Sequence, residues 1–295
     1  MAIVNPAAGG GRAAKLAGPL LAQLREKGLR IDVIASTGPG HAMQLASEAY
    51  GQGYRRFLAV GGDGTAHEVI NGAFSAGGGK EKIELGFLPM GTGNSFLRDF
   101  TSTGTETSME ALVAGRKRSV DLLRLRHAAG TVYSFNLLSM GFTVDVGALT
   151  NRRFKWLGQL GYLLGVLVRV AQLKRRGFKM RCDEDCEWDE RRCLFLTFNN
   201  SKYTGGTMMI APQADPSDGE IEYLRWGPIG RLGLLKMLPR LYDGTHERHP
   251  LASRRGVKKV EFALEAPVDV MIDGEIATLD CKLLEVVPSA MDVYV

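Results

Sequence analysis

Cysteine is scarce: four residues in a chain of 295, at Cys182, Cys186, Cys193 and Cys281. Their spacing matches no zinc motif, and so few in a chain this long exclude a disulfide scaffold. They read as ordinary thiols of a reducing cytoplasm. Long apolar runs are also missing. Met1–Val4 meets Asn5-Pro6 at once, too early for a secretory leader. Between Leu157 and Val168 only Gln159 is polar, yet that run falls short of the ~20 residues a bilayer crossing needs. No internal repeat or low-complexity tract stands out. Nor is charge one-sided: the net charge is +5 and the pI about 9.0. That mild excess suits nucleotide phosphate, anionic lipid or nucleic acid without choosing among them. Hydrophobic content of 45% and charged content of 23% exclude a disordered chain, and the length allows two domains with a core each.

What is present is organised around Phe57-Leu58-Ala59-Val60-Gly61-Gly62-Asp63-Gly64-Thr65-Ala66-His67-Glu68. Four apolar residues predict a buried strand, and Ala66, Val69, Ile70, Ala73 and Phe74 repeat at helical spacing after the glycine turn. A helix start offers unpaired N–H groups and a dipole end that favour phosphate. Asp63 sharpens the reading. A carboxylate facing phosphates is repelled unless a divalent cation or a hydroxyl proton lies between, which points to phosphoryl transfer. The competing reading is a tight turn whose aspartate caps the helix.

The preceding chain repeats the pattern. Ala2–Val4 predicts a strand, followed by Asn5-Pro6-Ala7-Ala8-Gly9-Gly10-Gly11. Ala13, Leu16, Ala17, Leu20, Leu21 and Leu24 then line one helix face as far as Gly28. Ile31–Ala35 leads into Ser36-Thr37-Gly38-Pro39-Gly40 and a helix carrying Ala42, Leu45, Ala46 and Ala49. Ile83–Leu88 leads into Pro89-Met90-Gly91-Thr92-Gly93-Asn94-Ser95. Repeated strand–helix units predict a parallel sheet with these loops at one edge, where ligands bind.

From about Val120 the period changes to two. Thr131–Leu138, Leu194–Phe198, Ile221–Leu224, Lys258–Leu264 and Val268–Ile272 predict an antiparallel, mainly β second domain, with the boundary near Arg116-Lys117-Arg118. An apolar helix predicted over Phe154–Leu173 interrupts it, flanked by Arg152, Arg153 and Lys155 and by Lys174, Arg175 and Arg176. It reads as a core helix, or as one that meets a membrane surface or a greasy ligand. The basic stretches lack the interleaved aromatics of a nucleic-acid platform.

Taken together, Asn5-Pro6-Ala7-Ala8-Gly9, Gly61-Gly62-Asp63-Gly64-Thr65, Gly91-Thr92-Gly93-Asn94 and Asp273-Gly274-Glu275 resemble the diacylglycerol kinase catalytic family. That group includes bacterial soluble diacylglycerol kinases, lipid kinases of the YegS type and sphingosine kinases. The likeness runs from Ile3 to the last residues. It implies an α/β plus β architecture: a three-layer nucleotide-binding domain over residues 1–119, like that of phosphofructokinase and NAD kinase, then an antiparallel lipid-binding β-sandwich over 120–295. The extreme C-terminus is expected to pack back on the first domain, and the active site to lie in a cleft between the two.

By position the resemblance assigns ATP contacts to Asn5, Pro6, Ala7, Ala8, Gly9, Thr37, Gly61, Gly62, Asp63, Gly64, Thr65, Ala66, His67 and Thr92. Glu275 matches the base that takes the proton of the lipid hydroxyl, and Asp63 would organise catalytic Mg²⁺, with Asp273 ordering that network. Without the family, Asp273-Gly274-Glu275 reads as a hairpin turn. Asp215, Asp218 and Glu220 match a segment holding a structural Mg²⁺, Asp218 through its carboxylate and the other two mostly through backbone oxygens; a solvated acidic turn is the alternative. Asp121 matches an aspartate at the lipid headgroup end, where it would bind substrate or join the domains.

One departure stands out: Ser95 replaces an aspartate common after Gly-Thr-Gly-Asn in bacterial relatives, removing a charge for which Asp99 could compensate. His67, His246 and His249 read as helix and surface residues. The implied protein is a cytoplasmic, peripherally membrane-associated kinase of diacylglycerol, a sphingoid base or a related lipid. Its partners are a lipid substrate and a membrane surface, with no nucleic acid and a homodimer left open. Alternatives are an NAD kinase, which shares Gly61-Gly62-Asp63-Gly64 but needs a later asparagine-glutamate motif not found here, and a catalytically silent lipid-binding module.

Overall fold

The computed structural model describes residues 1–77, 81–100, 104–149, 165, 168–170 and 173–295, so the apolar segment Phe154–Leu173 lies largely outside the described residues. Two compact units divide the chain: Met1–Asp121 with Pro288–Val295, and Leu122–Val287.

In the first unit β1 (Ala2–Val4), β2 (Val33–Ala35), β3 (Arg56–Gly61) and β4 (Ile83–Pro89) pair in the order β2-β1-β3-β4. All three pairings are parallel. Helices α1 (Ala8–Glu26), α2 (His41–Gly51), α3 (Asp63–Gly77) and α4 (Thr105–Ala114) complete it. The free side of β4 is taken by Met291, Asp292 and Val293, again in parallel. Crossovers of this kind require helical connections, so the loops after β1, β2, β3 and β4 emerge at one sheet edge.

Ala13, Ala17, Leu21 and Leu24 of α1 pack with Val4, Leu58, Val60 and Leu88 of the sheet. Leu16, which the helical repeat assigns to this face, is instead 39% exposed. The regular helix starts only after Gly9, Gly10 and Gly11, whose φ angles are 60°, 67° and 90°, and its buried stripe is the narrow one of Ala13, Ala17, Leu21 and Leu24. A Cβ on Gly72 would lie 2.0 Å from the Met43 carbonyl oxygen, so only glycine lets α3 approach α2 this closely.

The second unit is an antiparallel β-sandwich built from the rest of β5 (Lys117–His127), β6 (Gly130–Ser134), β7 (Leu137–Gly141), β8 (Met180–Cys182), β9 (Phe195–Asn199), β10 (Tyr203–Thr204), β11 (Met208–Met209), β12 (Ile221–Trp226), β13 (Ala252–Val257), β14 (Lys259–Phe262), β15 (Val268–Ile272), β16 (Glu275–Leu279) and the first part of β17 (Cys281–Tyr294). One sheet runs β13-β12-β9-β7-β15-β16, and opposite it β14 lies between β8 and β17. Leu138, Met140, Phe198, Tyr223, Val270 and Ile272 of the first sheet meet Val260, Phe262 and Leu284 of the other in one core. The alternate residues, Leu137, Leu224, Trp226 and Met271, point the other way and pack with α5 (Phe142–Leu149) and the helix Arg231–Met237. The central strands β7, β9 and β12 are therefore buried on both faces, while the edge strands β13 and β16 are only partly buried.

Two expectations change. The run Thr131–Leu138 is two strands, broken at Phe135-Asn136, because the backbone there turns to bond the Asp273 carboxylate. His246 is core, fully buried, with Nδ1 3.2 Å from the Arg240 carbonyl and Nε2 3.0 Å from that of Ile210.

Burial raises three thiols, Cys182 and Cys193 to about 11 and Cys281 to about 12, while Cys186 is exposed. The thiolate is the reactive form. A maleimide at neutral pH should therefore label one cysteine in the native protein and four after denaturation, with mass spectrometry placing the native label at Cys186. Burial also lowers the His246 pKa, outweighing its carbonyl partners. The unfolded chain then binds the proton more readily, so this residue's contribution is complete above about pH 6.5 and is lost as the pH falls below it. Thermal melts of His246→Gln should show a flatter decline between pH 7 and 5 than the parent.

Candidate active site

The loops after the four parallel strands are fastened to one element, the start of α3. Its first two turns carry three side chains, and each holds a different loop. Asp63 Oδ2 accepts the Ser95 N–H at 2.9 Å, securing the loop after β4. Thr65 Oγ1 accepts from Asn5 Nδ2 at 3.2 Å, securing the loop after β1. Glu68 accepts the N–H groups of Gly40 at 2.9 Å and Ala42 at 3.0 Å, capping α2 and securing the loop after β2.

Within each loop the backbone is set by local bonds. Asn5 Oδ1 accepts the Ala7 N–H at 3.1 Å, and the left-handed glycines follow. A Cβ on Gly9 would lie 2.2 Å from the Met90 carbonyl oxygen, while one on Gly10 or Gly11 would meet nothing within 4 Å. The Thr37 N–H reaches His41 Nδ1 at 3.0 Å, with Thr37 Oγ1 2.9 Å from the same nitrogen. Met90 N–H donates to the Gly61 carbonyl at 2.7 Å, and Asn94, with φ of 49°, donates from Nδ2 to the Gly91 carbonyl at 3.1 Å. Gly62 and Gly91 meet backbone to backbone: a Cβ on Gly91 would lie 2.6 Å from Gly62 Cα.

Of the residues expected to meet nucleotide, the loop positions Asn5, Pro6, Ala7, Ala8, Gly9, Gly61, Gly62, Asp63, Gly64 and Thr65 share this edge, with Thr37 and Thr92 exposed on their own loops. Ala66 and His67 are buried in α3, and the His67 carbonyl accepts from Asn71 Nδ2 at 2.9 Å. Glu68 and His41 were not among the expected site residues. The signals were available: a carboxylate five positions past Asp63, and a histidine four past Thr37 across a Gly-Pro-Gly turn. Ser95, although uncharged, is buried and contributes its N–H rather than a carboxylate.

Asp121 is 1% exposed, and its Oδ1 accepts the Ser289 N–H at 2.6 Å. It thereby ties the returning C-terminal residues to β5.

In the second unit Asp273 and Gly274 form the two-residue loop between β15 and β16, with φ of 51° and 96° and Ile272 paired to Glu275. Asp-Gly with two left-handed residues is the preferred tight hairpin connection. Asp273 is buried and accepts from Ser134 Oγ at 2.6 Å and from the N–H groups of Phe135, Asn136 and Leu137 at 3.3, 3.0 and 3.2 Å. It fixes where the hairpin stands, and Glu275 begins β16 as an exposed side chain.

The acidic loop is held from within. Asp215 Oδ1 accepts from Ser217 N–H and Oγ at 3.0 and 2.7 Å, and Asp218 Oδ1 accepts the Glu220 N–H at 2.9 Å. Glu220 lies against Gly256, where a Cβ would come 2.1 Å from its Oε2. Among the described residues no three His, Cys, Asp or Glu side chains gather into a metal cluster. Any cation here would depend on one carboxylate with backbone and water oxygens, a set a hard divalent ion accepts.

Comparison with known proteins is consistent over the whole chain. Residues 1–125 match the diacylglycerol kinase catalytic domain, and residues 136–295 match the YegS C-terminal NAD kinase beta sandwich-like domain. The chain therefore belongs to the diacylglycerol kinase catalytic family, in the group whose second domain is of the YegS type. A Mycobacterium tuberculosis diacylglycerol kinase is 28% identical over 99% of this chain and 93% of its own. A Xanthomonas oryzae protein named as a probable YegS-like lipid kinase is 28% identical over 92% and 88%. A crystal structure of a diacylglycerol kinase from Bacillus anthracis superposes with a TM-score of 0.72 at 17% identity, covering 99% of this chain and 95% of its own; another from that organism reaches 0.81 at 19%.

Crowding and strain at the glycine loops separate by one substitution each. Gly91→Ala forces two backbones apart and should cost about 2–3 kcal/mol; Gly10→Ala meets only the left-handed penalty of about 1–2 kcal/mol. Urea unfolding should rank them in that order. Glu68→Ala, which leaves two N–H groups of α2 uncapped, should cost about 1–2 kcal/mol by the same measurement.

Proposed function

We propose that this protein transfers the γ-phosphate of ATP to a hydroxyl of diacylglycerol, a sphingoid base or a related lipid. The observation that carries the reading is the hub at α3, which fixes three glycine-bearing loops around Asp63 at the carboxyl edge of a parallel sheet. Backbone N–H groups at a helix start and in left-handed glycine turns bind phosphate oxygens. The loops of Asn5–Gly9 and Gly61–Thr65, with Thr37 and Thr92, are assigned that task. Thr65 already accepts from Asn5, so its hydroxyl hydrogen is available to an anionic oxygen.

Mg²⁺ suits Asp63, because this ion is held by one or two carboxylates with phosphate and water oxygens supplying the rest. When bound it neutralises the phosphate charge that would otherwise repel both the carboxylate and an incoming alcohol. The Ser95 N–H holds one carboxylate oxygen of Asp63 and thereby orients the other. A lipid hydroxyl is a weak nucleophile, and Glu275 is assigned to accept its proton as the oxygen attacks phosphorus. Asp273 serves as its positioning residue, fixing the hairpin through four hydrogen bonds. Asp121 is assigned to the lipid headgroup, Asp215, Asp218 and Glu220 to a structural Mg²⁺ in the second unit, and peripheral contact with a membrane to the working enzyme.

Purified protein given labelled ATP, Mg²⁺ and a panel of lipids in mixed micelles should yield a labelled phospholipid, identified by mass spectrometry. Asp63→Asn and Glu275→Gln should each lower kcat by about 10²–10⁴-fold with intact folding, and chelation by EDTA should abolish turnover. No product from any lipid, or formation of NADP from NAD, would refute the assignment.

A further inference from the structure

One surface of the second unit is both greasy and basic. Leu173, Arg175 and Gly230–Gly233 line an open groove of about 500 Å³. Val170, Leu234 and Met237 of the neighbouring segments are buried in a single core cluster. Outside, the same elements leave Leu232 76% exposed, the most exposed large apolar side chain among those described, and Val168 50% exposed. Nothing in the core demands a leucine at position 232. The helix Arg231–Met237 turns Leu234 and Met237 inward and Leu232 outward.

The groove's own lining carries only positive charge, at Arg175 and Arg231, while Asp145 pairs with the adjacent Arg176 at 3.1 Å. No aspartate or glutamate occurs from Leu173 to Cys182 or from Trp226 to Tyr242. Lys174, Arg175, Arg231, Lys236 and Arg240 in those segments are all exposed. Arg175 spends one bond on the Ile229 carbonyl at 3.2 Å, which fixes its stem beside the groove. An exposed leucine that shares its groove with Arg175 and Arg231 fits a surface that offers negative charge outside and hydrocarbon beneath. No helix among the described residues is long and apolar enough to cross a membrane.

The geometry points to an anionic bilayer as the partner of this face, with Leu232 entering the headgroup boundary and Arg231, Lys236 and Arg175 pairing with lipid phosphates. This rests on the lipid-kinase reading only for preferring a bilayer to an acidic protein, since a kinase of membrane lipids must reach its substrate there. It adds which face lies down.

The test is co-sedimentation, without ATP, with vesicles of phosphatidylcholine alone or mixed with phosphatidylglycerol. Wild-type protein should pellet with the mixed vesicles, weakly with the neutral ones, and less as salt rises. Leu232→Ser should lower partitioning about tenfold, and Arg231→Ser with Lys236→Ser about twenty-five-fold, at roughly fivefold for each basic residue. Both variants change exposed residues and should keep the parent's circular dichroism spectrum. Their turnover of a short-chain, water-soluble diacylglycerol should be unchanged. Variants that pellet like wild type, wild-type protein that ignores anionic vesicles, or wild-type protein that binds polyglutamate instead would each overturn the inference. Loss of pelleting by the variants in a protein that phosphorylates no lipid would uphold this face while refuting the kinase assignment.

Discussion

Everything at the sheet edge depends on the register of one helix start. Asp63, Thr65 and Glu68 occupy the first two turns of α3, and each side chain closes a hydrogen bond to a different loop. Helical geometry sets the spacing: 1.5 Å of rise and about 100° of turn per residue send these three in separate directions from one axis. Loops usually carry the least certain geometry in a protein, because their backbones lack a regular partner. Here three of them borrow the rigidity of a buried helix. That helix is itself pressed onto α2 at Gly72, where any side chain would strike a carbonyl.

The second unit uses the same economy with one carboxylate. Asp273 is acceptor-only when ionised, and four donors from Ser134 to Leu137 converge on it. A single side chain thus ends β6, begins β7 and anchors the β15–β16 hairpin. The price is a buried charge, which the four donors offset. Asp273 is buried in the turn while Gly274 and Glu275 beside it are exposed.

Much of this was legible in the sequence, for physical reasons that differ by region. The parallel unit announced itself through apolar tetrads ending in glycine, since buried strands have no room for alternation and close loops have no room for Cβ. The sandwich announced itself through period-two segments such as Val260 and Phe262, which do face one core. What escaped is non-local. The break at Phe135-Asn136 is dictated by an aspartate far along the chain, and no local propensity marks it. His246 looked like a surface residue because a buried imidazole differs from an exposed one only in its partners, two carbonyls on separate segments. Leu16 fits a helical repeat as well as Ala17 does, and which of them turns inward is set by how α1 packs on the sheet, with Ala17 among the residues meeting Val4, Leu58 and Val60. At the site itself, the motif residues could be named from their loops, whereas the fastening roles of Glu68 and Ser95 needed coordinates.

The parallel sheet of the first unit also has an order of assembly written into it. The strand beside β4 comes from Met291–Val293, which the ribosome makes only after all of the second unit. While those residues are still unmade, β4 has an open edge and Asp121 lacks the amide of Ser289. The nascent first unit must wait with an unpaired flank, a state that invites mispairing and gives a chaperone something to shield.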